Sequence, residues 1–180
     1  MNKTVLLTFL LVPCAATAAE QSPYSGEEQR QVKSLSTQEV ESLRNGGGMG
    51  FAKLAELNHY PGPRHVLDLS DELKLSPSQL AETESLYEEM RLNAVAVGEE
   101  LLAAESQLDR SFEDGSITRQ SLEAALLEIG EIRARLRYIH LEAHLRQKQL
   151  LGSDQISAYD LLRGYQGTAS DHDEHQGGHH

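Results

Sequence analysis

The chain has 180 residues, of which 39% are apolar and 5% are aromatic. That length suits one ordinary domain with a modest core and excludes two large domains. The 28 acidic residues outnumber the 16 Lys and Arg, and the formal net charge of −12 argues against nucleic acid and anionic membrane surfaces as partners, because both attract cationic faces. The one cysteine, Cys14, excludes a disulfide scaffold and a four-cysteine zinc site.

Residues 1–19 have the three-part pattern of a secretory signal peptide. Lys3 supplies a positive charge, residues 5–12 are almost entirely apolar, and small residues allow cleavage after Ala18 or Ala19. The apolar run is shorter than the roughly 20 residues that span a bilayer. We therefore expect export without stable membrane insertion, with attachment of a lipid to Cys14 left open.

The remaining chain divides into a lead, a helical domain and a tail. Residues 20–35 are polar and without periodicity, which predicts a flexible lead. Residues 36–165 are predicted to be all-α, with two long helices in an antiparallel hairpin and shorter flanking helices. The first long helix should begin at Ser76-Pro77 and the second at Thr118, because these residues form typical helix starts. Residues 166–180 lack apolar content and predict a disordered tail rich in His and Asp.

Apolar residues recur every seven positions in both long helices, which predicts the faces along which the helices pack. Short helices are expected at residues 36–43, 65–73 and 156–165, with a turn around Pro61 and Pro63. Further apolar residues lie off the stripes and need another cover, such as the short helices or a second copy of the chain in a homodimer. The stripes are Leu80, Tyr87, Ala94, Leu101 and Leu108, then Leu122, Ile129, Leu136, Ala143 and Leu150; the residues off them are Leu86, Leu92, Val95, Leu102, Leu127, Tyr138, Leu141 and Leu145.

Two helix starts match one another: LSPSQ at residues 75–79 and LGSDQ at residues 151–155 each place a Gln four positions after a Leu. With the export signal and the hairpin, this pair resembles the LTxxQ family of periplasmic Spy/CpxP chaperones, zinc-resistance-associated proteins and heavy-metal sensors. Ser76 and Gly152 stand where the family has Thr. The resemblance implies a periplasmic, usually dimeric hairpin that holds unfolded clients or binds transition metals. The Gln of each motif can bond back to free backbone donors at its helix start.

The histidines carry the chemical signal. His140 and His144 lie four residues apart on the second long helix, so their side chains share one face about 5–6 Å apart. Imidazole nitrogen binds zinc, nickel, cobalt and copper. Antiparallel pairing would bring His65 and Glu88 near this pair, which predicts a metal cluster of the four residues. The metal-sensor relatives carry a His and a second soft ligand four residues later on this helix. The open alternative is a pair of partly exposed polar residues that binds nothing.

The last ten residues form a second candidate for metal binding. His172 and His175 stand among three carboxylates and precede two terminal histidines. This composition predicts loose chelation without folding, and a solvated acidic tail is the alternative.

The sequence contains no pattern typical of an enzyme. HLEAH at residues 140–144 lacks the Glu directly after the first His that zinc proteases use, and the segment around Gly115 lacks the acids of a calcium loop. The leading hypothesis is a periplasmic metal-binding protein of envelope stress or heavy-metal resistance, acting as a sensor or a metal-responsive chaperone. Its partners would be a second copy and either unfolded clients or a membrane-bound regulator. The alternative is a metal-independent chaperone.

Overall fold

The computed structural model describes residues 21–165, and every regular element in that range is helical. This confirms the predicted all-α class for the described part of the chain. A 3-10 helix at Glu27–Gln29 comes first. The α-helices are α1 (Thr37–Arg44), α2 (Lys53–Glu56), α3 (Pro63–Asp68), α4 (Pro77–Glu113), α5 (Arg119–Leu150) and α6 (Ser153–Leu162). The predicted signal peptide and the predicted tail lie outside the described residues.

Side-chain caps set the starts of both long helices where the sequence predicts them. Ser76 Oγ accepts the backbone N–H of Gln79, and the Gln79 side chain accepts the N–H of Ser76 in return. Pro77 occupies the first helical position, where its missing N–H costs nothing. Thr118 and Ser121 form the same reciprocal pair at the start of α5. The caps therefore explain why α4 and α5 begin at these residues.

The two long helices pack side by side and run in opposite directions. Arg146, late in α5, contacts Glu89, early in α4, whereas Arg133 contacts Glu105 further along α4. Four residues of the predicted stripes are buried in the main hydrophobic cluster of the fold, together with Leu102 and Ile132 from outside the stripes. The members from the long helices are Ala94, Leu101, Leu102, Ile129, Ile132 and Leu136.

The short helices α1, α2 and α3 pack on the long pair. The end of α1 approaches α4 closely at Gly98, where an added Cβ would lie 2.7 Å from the carbonyl oxygen of Leu43. Only glycine leaves room for that contact. Val40 and Leu43 of α1 are buried in the main cluster. The approach of α1 also fixes the position of the glycine-rich turn that follows it.

Residues 32–35 pack on the domain, although the sequence predicts a flexible lead over residues 20–35. Val32 and Leu35 are buried in the main cluster. The Ser34 hydroxyl donates to the buried carboxylate of Glu105 at 2.9 Å. Two apolar residues three positions apart are too few to form a recognisable period, so the pattern gives no sign of this contact.

Helix α6 begins three residues before its expected start at Ile156. Gly152 takes the N-cap position, and its N–H donates to the Gln155 side chain at 2.9 Å. Tyr159 is fully buried and its hydroxyl donates to the Glu56 carboxylate at 2.8 Å, which joins α6 to α2. Helix α3 is shorter than expected, because residues 69–74 form turns.

Of the eight apolar residues that lie off the predicted stripes, two are buried, four are exposed, and Val95 and Leu141 are half-buried. Leu86 joins Leu102 in being buried, so the fold itself covers both. Four side chains are more than half exposed: Leu92, Leu127, Tyr138 and Leu145. Among residues 21–165, no helix has both the length and the apolar character needed to cross a bilayer.

Candidate metal centre

His140 and His144 stand one turn apart on α5 and are buried beneath two glycine turns that flank α2. His140 is 3% exposed and His144 is 7% exposed. The His140 ring lies against Gly48, and the His144 ring lies against Gly62. The pair is therefore not partly exposed, and its burial needs an explanation in packing or in binding.

His144 is held by a backbone contact that determines its tautomer. Its Nδ1 lies 2.8 Å from the carbonyl oxygen of Tyr60. A carbonyl only accepts, so Nδ1 carries a proton, and in the neutral ring the lone pair is on Nε2. Imidazoles that bind metals are commonly oriented by such a bond from the second ring nitrogen.

The Nε2 edge of the His144 ring faces Gly62, a residue without a side chain. A Cβ on Gly62 would lie 2.9 Å from His144 Nε2 and 3.0 Å from Oε1 of Glu56. The φ of Gly62 is −87°, which any residue can adopt. Glycine is needed here for space and not for backbone freedom, and the space it leaves is next to a lone pair and a carboxylate oxygen.

His140 has a buried nitrogen without a partner. Its Nε2 makes no hydrogen bond, while its ring stacks on Phe51 with centroids 6.0 Å apart. Burial lowers the pKa of His140 to about 4, and the neighbouring His144 contributes in the same direction. His140 is therefore neutral at pH 7, which is the form that binds a metal ion. A buried polar atom without a partner costs about 1–3 kcal/mol, so this nitrogen is a candidate ligand atom.

Both histidines line a cavity of about 720 Å³ between the glycine-rich turn at residues 46–50, the short helices and the long pair. Three histidines, two methionines and two tyrosines contribute to its wall. They are His65, His140, His144, Met49, Met90, Tyr87 and Tyr165.

The structure brings three of the four residues of the predicted cluster to this cavity and leaves the fourth outside. His65, in α3, lines the cavity, and its Nδ1 lies 3.6 Å from a carboxylate oxygen of Asp68. Glu88 does not line it, because both its oxygens accept hydrogen bonds from Arg91 at 2.8 and 2.7 Å on the exposed face of α4. Arg91 also lowers the pKa of Glu88. Arg91, three residues further along the same helix, therefore already satisfies both oxygens of the Glu88 carboxylate.

The remaining predicted ligands, His172 and His175, lie outside the described residues. Across residues 21–165, no three side chains of His, Cys, Asp or Glu converge closely enough to form a metal site by themselves. His140 and His144 would therefore need ligands of another kind, from another part of the chain, or from solvent.

Several residues of the cavity give no signal in the sequence. The run Gly46-Gly47-Gly48 reads only as the end of a helix, yet it forms one wall. Tyr60 acts through its backbone carbonyl, which no side-chain pattern can reveal. The Pro-Gly-Pro turn at residues 61–63 predicts a turn and not the steric need for Gly62.

No family model, curated protein or solved structure matches this chain significantly. The resemblance to the LTxxQ proteins therefore rests on the two motifs and on the predicted export signal. The case for a function rests on the buried histidine pair.

Proposed function

We propose that this chain is an exported metal-binding protein of envelope stress or heavy-metal resistance, with its ion site at His140 and His144. One observation carries the proposal. His140 Nε2 is buried without a hydrogen-bond partner, and His140 lines a cavity together with a second, oriented imidazole, that of His144. Burial of a neutral, unsatisfied imidazole is costly unless something compensates it, and a divalent transition metal ion does so.

Each of the two imidazoles would supply one nitrogen ligand. His144 donates from Nδ1 to Tyr60 and offers Nε2 to the ion, while His140 offers its unpartnered Nε2. His65, from the same wall, is the source of a further ligand, whereas the tail histidines His172 and His175 form a separate candidate site. Zinc, nickel, cobalt and copper all accept this nitrogen donor.

The consequence of binding follows from the elements that the cavity joins. An ion at the pair would tie α5 to the turns on both sides of α2, which are low in regular structure. Ordering these turns would change the surface that the short helices present to a second copy of the chain or to a membrane-bound regulator. This is a signalling role based on ligation, with no chemical turnover.

Calorimetric titration of the purified protein with zinc, nickel and copper tests the proposal. The four tail histidines are replaced by Ala, so that only the helical domain can bind: H172A, H175A, H179A and H180A. We expect one ion per site in this background and its loss in H140A/H144A. H59Q is the matched control, because His59 contacts Asp160 at 2.6 Å and does not line the cavity. Absence of stoichiometric binding in the tail-substituted protein would exclude the site.

A second candidate is a metal-independent chaperone that holds unfolded clients. The exposed apolar side chains of Leu92, Leu127, Tyr138 and Leu145 support it, since such groups can contact exposed apolar segments of a client. This function predicts that suppression of client aggregation is insensitive to chelator and to H140A/H144A, and is weakened by replacing the four residues with Ser. A chelator-sensitive effect would instead favour the metal-dependent function.

A further inference from the structure

The methionines of the chain are concentrated at the histidine cavity. The chain has three methionines, and one of them is Met1. Met49 and Met90, far apart in sequence, both line the wall that His140 and His144 share. A thioether is a soft sulfur donor, so the cavity combines two kinds of ligand that soft metal ions accept.

Met90 stands directly against the part of α5 that carries the pair. It is buried in one cluster with Ala143, the residue before His144. The antiparallel packing of α4 on α5 therefore places a sulfur-bearing side chain opposite the turn that contains both imidazoles. Apolar packing alone would be served equally well by Leu, which has a similar volume.

Met49 is held at the cavity by a costly backbone conformation. Its φ is 38°, a left-handed value that residues with a Cβ rarely adopt, and it stands between Gly48 and Gly50. The side chain is 39% exposed. A flexible thioether is thus held where the cavity meets solvent.

The charges of the wall favour an ion of low charge. Glu56 is the one acidic residue among the described residues that line the cavity, and the Tyr159 hydroxyl lies within 3.0 Å of both its oxygens. Lys53 and Arg64 line the same wall. Next to two cationic residues, neutral imidazole and thioether ligands offset the charge of a monovalent ion more easily than that of a divalent ion.

We infer that the cavity is selective for monovalent copper, Cu(I), bound by the imidazoles of His140 and His144 with the thioether of Met90, and that Met49 supplies a thioether at the entrance. This inference rests on the proposed function and specifies its ion. Soft thioether ligands select Cu(I) over harder divalent ions.

The test compares Cu(I) with zinc in the tail-substituted protein. Cu(I) affinity is measured anaerobically by competition with a coloured Cu(I) chelator, and zinc affinity by calorimetry on the same samples. The variants are M49L, M90L and M49L/M90L, which keep the apolar volume, with helical content checked by circular dichroism. We expect the double variant to lose at least about tenfold in Cu(I) affinity and to keep its zinc affinity within about twofold, because imidazoles alone serve zinc.

X-ray absorption of the Cu(I)-loaded parent protein gives an independent measurement that needs no variant. The inference predicts sulfur scattering, and in a C14S background, which removes the one cysteine of the chain, only methionine can supply it. Unchanged Cu(I) affinity in M49L/M90L, or a spectrum with nitrogen and oxygen alone, would overturn the inference. If zinc still binds through His140 and His144 in that case, the proposed function stands. If no metal binds at all, the proposed function fails as well.

Discussion

Gln79 and Gln155, the last residues of the two matched motifs, hydrogen-bond to each other through their side-chain amides. Gln79 Nε2 donates to Gln155 Oε1 at 2.8 Å, and Gln155 Nε2 lies 3.2 Å from Gln79 Oε1. Each amide also donates to a backbone carbonyl across the fold, that of Leu150 at 2.8 Å and that of Leu73 at 3.1 Å. Each Oε1 accepts the N–H at the start of its own helix. The motifs therefore join the starts of α4 and α6 to the end of α5.

Replacing either glutamine with Ala should destabilise the fold. Q79A and Q155A each remove several partly buried hydrogen bonds, and we expect each to cost about 1–3 kcal/mol in the free energy of unfolding. The double variant should cost less than the sum, because both residues belong to one network. Urea unfolding checks this, with the exposed Gln120 of α5 replaced by Ala as the control. Equal effects of Q79A and Q120A would contradict the assignment.

Gly62 should be required for metal binding. A Cβ at this position would lie 2.7 Å from Cε1 of His144, so G62A must displace the ring. We expect zinc affinity in the tail-substituted protein to fall by at least about tenfold, the scale on which disturbed ligand orientation acts.

Gly130 is the matched control for Gly62. A Cβ there meets nothing within 4 Å on the helix α5, so G130A should leave zinc affinity unchanged and stabilise the protein by about 1 kcal/mol. Equal zinc affinity of G62A and the parent protein, measured by calorimetry, would mean that the His144 ring takes no part in binding.

The metal-free protein should lose stability in mild acid because of His140. Burial lowers the pKa of His140 in the folded state to about 4, below the reference value of about 6.5 for the unfolded chain. The unfolded state therefore binds more protons than the folded state between these values. The contribution of His140 is fully present above pH 6.5 and declines by about 1.4 kcal/mol per pH unit as pH falls toward 4.

The variant H140L removes both the titrating group and the unsatisfied nitrogen. Urea unfolding in chelator from pH 4.5 to 7.5 should show the parent protein losing stability relative to H140L as pH falls below 6.5. Other acidic groups titrate in both proteins, so the difference between them isolates His140. Parallel curves across this range would contradict a buried neutral His140.

Glu105 should hold the N-terminal segment on the domain. Its buried carboxylate accepts from Ser34 at 2.9 Å and from Arg133 at 2.6 Å. E105A removes both contacts, and we expect it to cost about 1–3 kcal/mol and to speed tryptic cleavage after Lys33. The exposed Glu123 supplies the control, E123A. Cleavage after Lys33 at the same rate in both variants would show that the apolar side chains of residues 32 and 35 hold the segment without Glu105.

The parts of the fold that follow from local rules could be predicted from the sequence. Ser76 and Thr118 mark helix starts, and the seven-residue stripes identify Ala94, Leu101 and Leu136 as buried. The surroundings of the histidines could not be predicted, because they depend on turns that fold back from distant positions. The sequence places His140 and His144 on one face, but only the approach of the glycine turns buries that face.

Glu88 is a predicted ligand that fails because of a local interaction on its own helix. Its distance from the pair along the hairpin is favourable, yet Arg91 lies three residues away on the same helix and binds both oxygens. A local ion pair of this kind competes with any long-range ligand set. An acidic residue with a cationic partner at helical spacing is therefore a weak candidate for a metal ligand.

The most direct test of the central claim follows the imidazole nitrogens by NMR. Long-range ¹H–¹⁵N spectra of the tail-substituted protein are recorded before and after one equivalent of zinc. We predict that Nε2 of both His140 and His144 shifts, while Nδ1 of His144 stays protonated and bonded to Tyr60. Unchanged Nε2 resonances of both residues at saturating zinc would contradict the account.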